Sequence, residues 1–141
     1  MPTPALSEVL IGAGDAAALY LDIINRSARF KIVPFGARAA VEAAAAHRDA
    51  LRADDKREGS DSSWTKVKFD RQIVAIAKVE GADIIYSTDV DIARFAARND
   101  LEVVTLEQLP FPPETLQGEL SLATPANEES PPAEPSSPSE P

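Results

Sequence analysis

A chain with no cysteine and a single histidine, His47, has only carboxylates with which to hold a metal ion or drive a hydrolysis. Four acids are candidates for such chemistry, Asp89, Asp70, Asp91 and Glu8. Asp89 follows Asp83-Ile84-Ile85-Tyr86-Ser87, a short and nearly all-apolar run that suits a strand buried on both faces of a parallel sheet. That places Asp89 just past the C-terminal end of a strand, the edge where open α/β sheets carry their sites. Asp70 shares a helical side with Ile73, Val74 and Ala77, so its carboxylate is expected near the apolar face, where it needs a cation, a donor or a metal. Asp91 lies two residues beyond Asp89, and Glu8 lies in Leu6-Ser7-Glu8-Val9-Leu10-Ile11.

Each acid also has a structural explanation. Asp91 can complete a capping box with Thr88, and Asp89 can meet the same helix N-terminus. Asp70 can pair with Lys66 or Arg71 as an ordinary helix charge. Glu8 near a helix start is unremarkable by itself.

The elements that would position these acids follow from periodicity and punctuation. Leu6–Ile11 reads as a short helix broken by Gly12 and Gly14, and a second helix runs from about Asp15 to Ser27. Phe30–Phe35 alternates and is β-branched, a strand closed by Pro34. Residues 36–52 are alanine-rich and helix-forming. A polar loop, 53–63, leads to Ser63 as N-cap of a helix from Trp64 to Glu80, with Phe69, Ile73, Ile76, Ala77 and Val79 as its apolar stripe and Gly81 as its stop. The 83–87 strand, a helix over 89–99 and a strand at Leu101–Thr105 complete an α/β alternation. Three strands make a thin sheet, and the chain opens on a helix, so a preceding strand is expected to be missing.

Length and charge set the frame. At 141 residues the chain has room for one ordinary domain. No stretch approaches the roughly 20 apolar residues of a membrane-spanning helix, and Met1-Pro2-Thr3-Pro4 shows no secretory pattern, so the expected location is cytoplasmic. Of the net charge of -9, six acids and no base fall within 111–141, leaving 17 acids against 14 bases in the body. That segment, rich in Pro, Glu and Ser, reads as a disordered acidic tail. Bases are densest over 48–71, where six acids interleave with them. Lys66, Lys68 and Arg71, which flank Asp70, are the candidates for RNA contact. Trp64 either stacks on a base or packs at its helix start, and His47 is expected to be exposed.

The order of these segments resembles the PIN domain family, over nearly all of residues 4–109. The most specific parts are the Asp-x-x-Ile-x-Ala-x-Ala pattern opening at Asp70 and the Ser-x-Asp pattern of Ser87 and Asp89 after an apolar strand. The resemblance implies a three-layer α/β fold over 1–110, a parallel sheet flanked by helices, truncated at its N-terminus. It implies acids gathered to bind Mg²⁺ or Mn²⁺ and hydrolyse phosphodiester bonds, most often in RNA. Carried over, Glu8, Asp70 and Asp89 are the catalytic metal ligands, Asp91 an auxiliary ligand and Ser87 a supporting hydroxyl. The family's first strand, which ends in a metal-binding Asp, has no counterpart here. The expectation is therefore a Mg²⁺- or Mn²⁺-dependent endoribonuclease, inactive or weak as this chain. The partners that come with the resemblance are RNA, an antitoxin protein of a toxin-antitoxin pair and a second copy in a homodimer. The alternative is a PIN-like protein-interaction module without catalysis.

Overall fold

The computed structural model describes residues 1–111, and Met1–Leu109 form one compact unit. The tail reading falls, from residue 112 on, outside the described residues.

Helix α1 (Thr3–Ala13) starts earlier than its apolar core suggests, because Pro4 fits the first turn, where a backbone N–H has no helical partner. It stops at Gly14, whose φ of 52° suits a residue without a Cβ. The second predicted helix divides into a 3₁₀ turn, Gly14–Ala16, and α2 (Ala17–Arg26). Helix α3 (Ala37–Arg52) buries Ala39, Ala43 and Ala50, and the small side chains of Ala39 and Ala43 let Ala75 and Ile76 of α4 (Trp64–Val79) pack closely against it. Ser63 caps α4 as predicted, its Oγ accepting from the Lys66 N–H, and Gly81, with φ of 69°, follows the helix end.

Helix α4 is the centre of the unit. One side meets α3, while Val67, Val74 and Ala77 join Ile92, Phe95 and Ala96 of α5 (Val90–Ala97) and Leu101 in the main core. Phe69, expected in the apolar stripe, is exposed instead, and Asp70 and Arg71 are buried. Strands β1 (Ile84–Tyr86) and β2 (Glu102–Val104) form a parallel pair with Ile85 opposite Val103. A short 3₁₀ turn, Leu106–Gln108, follows.

Two strand expectations fail. β1 is not covered on both faces: Ile84 and Tyr86 are exposed, Tyr86 at 67%, because the described sheet has two strands and only Ile85 and Val103 turn toward the core. Phe30–Phe35 does not form a strand. Its only sheet-like pairing is a parallel bridge between Val33 and Pro2, where the Thr3 N–H donates to the Val33 carbonyl and the Val33 N–H to that of Met1, each at 2.9 Å. Prolines at 2, 4 and 34 lack the N–H groups that would carry the ladder further. The molecule is α/β, mainly helical, with a small parallel sheet.

Candidate metal centre

Helix α4 presents Asp70 one turn after Lys66, and the start of α5 presents Asp89 and Asp91 beside them. Asp89 is the N-cap of α5: its Oδ1 accepts from the N–H groups of Asp91 at 2.8 Å and Ile92 at 3.4 Å. Its other oxygen is thereby left for Lys66 Nζ at 2.8 Å. Ser87 steadies the approach to the cap, its Oγ accepting from the Asp89 N–H at 3.1 Å. Asp91 is only 3% exposed, and burial at that level demands donors. It has them: Ser60 Oγ at 2.7 Å and Ser62 Oγ at 2.6 Å on one oxygen, and Arg94 on the other. The Ser62 N–H in turn donates to Ser60 Oγ at 3.0 Å, so the loop before α4 closes over the Asp91 side chain.

Asp70, Asp89 and Asp91 each turn one carboxylate oxygen toward a common point, and those three oxygens lie within 4.8 Å of one another. The Lys66 ammonium stands among them, 2.7 Å from Asp70, 2.8 Å from Asp89 and 3.5 Å from Asp91. Burial works against its charged form, but hydrogen bonds to Asp70 and Asp89 and their charges outweigh it and hold the Lys66 pKa well above the ordinary value. Burial pushes the Asp70 pKa up. Lys66 opposes that shift without cancelling it, and the neighbouring charges of Asp89 and Asp91 add to it. At Asp89 the effect of burial is outweighed by Lys66 and the two backbone N–H donors, so its pKa lies below the usual range. Asp91 is lowered against burial by Ser62, Ser60, Lys66 and Arg94.

The donor set suits a hard divalent cation. Carboxylate oxygens such as these, presented by two helices, are the ligands Mg²⁺ and Mn²⁺ take. The ammonium already shows that the geometry accepts a cation. Three carboxylates against Lys66 and Arg94 leave one negative charge, and withdrawal of Lys66 would leave two.

The carried-over ligands do not all meet. Asp70, Asp89 and Asp91 come together, whereas Glu8 is exposed on α1 and is not among them. Asp91 does not close a capping box with Thr88; Asp89 is the cap, and Asp91 turns to the serine loop. Of the proposed RNA-contact residues, Lys66 is half-buried in the acid cluster and Lys68 is exposed near the Trp64 ring. Arg71 is 3% exposed and faces inward. Its Nη2 donates to the Lys56 carbonyl at 3.0 Å and pairs with Glu58 at 3.1 Å, and its guanidinium lies 5.8 Å from the Trp64 ring centre and 5.1 Å from that of Phe95. So placed, it holds the loop and cannot reach a nucleic acid. Trp64 packs at the edge of the core, and His47 is half-buried against it with ring centres 5.2 Å apart, not free in solvent. Burial lowers the His47 pKa.

Sequence reasoning passed over Ser60, Ser62 and Arg94. Arg94 had a signal, its i,i+3 spacing from Asp91. The serines sit 31 and 29 residues from their partner, and no local pattern reports that contact. A cavity of about 430 Å³ is bordered by α3, α4 and α5 and includes none of the three aspartates; its Glu42 pairs with Lys78, and its Glu58 with Arg71 and Arg98. Comparison of the chain with family models, curated proteins and solved structures finds no match in any of the three.

Proposed function

We propose that this chain carries a PIN-like Mg²⁺- or Mn²⁺-dependent phosphodiesterase site, acting on RNA as an endoribonuclease, with Asp70, Asp89 and Asp91 as its metal ligands. The observation that supports this reading is the convergence of three aspartates from two helices on a point that already holds a cation. A divalent ion there supplies Lewis acidity toward a phosphodiester and makes water a competent nucleophile near neutral pH. The chain's own groups do the rest. Asp89 is fixed by the α5 N-terminus and Asp91 by two serine hydroxyls, so both are held before a ligand arrives. Burial raises the Asp70 pKa, and a nearby positive charge favours its ionised form. With Glu8 outside the cluster, the activity of the chain alone is weak in this reading. A toxin role with an antitoxin partner, and a homodimer, belong to the same proposal and rest on the resemblance alone.

One observation favours a second reading. Lys66 and Arg94 already offset most of the cluster's charge, as in a structural ion network of a protein-interaction module without catalysis. Incubation of the purified chain with single-stranded RNA and Mn²⁺ separates the two. The nuclease reading expects weak cleavage that is removed by chelator and lost in Asp70→Asn and Asp89→Asn. Cleavage that persists in both variants defeats the site assignment, and a folded chain that cleaves nothing favours the interaction module.

A further inference from the structure

Among the described residues, Lys66 is the one side chain that touches all three carboxylates, and it is also one that can leave. It reaches the cluster from the first turn of α4, and its side chain keeps 41% of its surface in solvent. Asp70 and Asp91, by contrast, are buried, and Asp89 is tied to backbone N–H groups, so the acids stay in place while the lysine has somewhere to go. An ammonium 2.7 to 3.5 Å from three carboxylates occupies the region where a divalent ion bound to the same oxygens would sit. Both cations cannot be held there, because their mutual repulsion at such separations is large in partly desolvated surroundings.

We propose that Lys66 is a resident counter-ion that holds the acid cluster in its metal-free form and must swing toward solvent before Mg²⁺ or Mn²⁺ can bind. This deepens the metal-site reading above and rests on it. Lys66 keeps three neighbouring carboxylates from repelling one another while no metal is bound, and it sets a threshold for loading because each metal ion must displace it. Monovalent salt, which screens the ammonium and the metal alike, does not reproduce the effect of removing the lysine charge.

Calorimetric titration of Mn²⁺ into the full chain and its Lys66→Gln variant tests this, together with a nitrogen-15 NMR titration of the lysine ammonium signals of the unsubstituted chain with Mg²⁺. The variant is expected to bind Mn²⁺ at least about tenfold more tightly, since a unit positive charge at contact distance has been removed. The Lys66 ammonium signal is expected to move or broaden as Mg²⁺ saturates. A variant that binds while the unsubstituted chain does not is the same result in its strongest form. Equal or weaker binding by the variant overturns the proposal and leaves the metal site standing, and so does an ammonium signal unmoved at saturating Mg²⁺. Failure of both proteins to bind either ion overturns the metal reading and this proposal with it. The NMR arm decides the matter if Lys66→Gln does not fold.

Discussion

Asp91 receives the most support of any residue in the cluster, with two serine hydroxyls, Arg94 and Lys66 directed at one buried carboxylate. Replacing it with alanine leaves Ser60 buried without its acceptor and Arg94 without its partner, and is expected to cost about 3 kcal/mol in chemical denaturation. A loss within about 0.5 kcal/mol would mean that these contacts are incidental. The same residue governs behaviour in acid. Asp89 and Asp91 have folded-state pKa values below the ordinary value of about 3.9, so the stability they add is complete above that pH and is lost as pH falls through their folded values. Asp70 runs the other way, its raised pKa giving a contribution that is present below about pH 3.9 and fades as pH rises through the folded value. In thermal melts below about pH 4, Asp91→Asn is therefore expected to lose less stability with falling pH than the unsubstituted chain. Parallel curves would contradict that assignment. At this scale the sequence placed Asp89 at a strand end and Asp70 on the apolar side of its helix, which are local properties, whereas the meeting of these two with Asp91 was implied by the resemblance alone. It was uninformative about Arg71, whose burial depends on Trp64 and Phe95 meeting from different helices.

Helix α5 has only 8 residues, so its N-cap matters. Asp89 serves the helix through one oxygen and the cluster through the other, and two substitutions separate these roles. Asp89→Ser keeps a capping oxygen and is expected to hold stability to within about 0.5 kcal/mol while weakening metal binding. Asp89→Ala loses both and is expected to cost about 1 to 2 kcal/mol. Equal stability loss in the two variants would show that capping is not what the side chain contributes. The helices α3, α4 and α5 were legible from their alanine and apolar spacing and from Ser63, Gly81 and Asp89 as boundary signals, each acting within a turn of its helix. The 30–35 segment was not. Its alternation is a strand pattern, but a strand exists only with a paired neighbour, and the prolines around Pro2 and Val33 limit that pairing to a single bridge. β1 was misjudged for a related reason, since burial of both faces depends on how many strands and helices cover it.

For the whole molecule, stability rests on a small set of contacts around α4. Phe95 sits in the main core at 3% exposure and also stacks on the Arg71 guanidinium, which holds the loop that brings Ser60 and Ser62 to Asp91. Phe95→Ala is expected to cost about 3 to 5 kcal/mol, most of the stability of a domain this small, and to abolish a cooperative thermal transition. A sharp transition retained in that variant would place the folding energy elsewhere. The cluster, the loop and the core are coupled, so a ligand that binds the aspartates is expected to raise the melting temperature of the whole unit. The metal site is tested most directly by calorimetric titration of Mn²⁺ into the unsubstituted chain and into the Asp70→Asn, Asp89→Asn double variant. One saturable site is expected in the first and none in the second. No saturable binding by either the folded unsubstituted chain or its Lys66→Gln variant, or undiminished binding by the double variant, would contradict it.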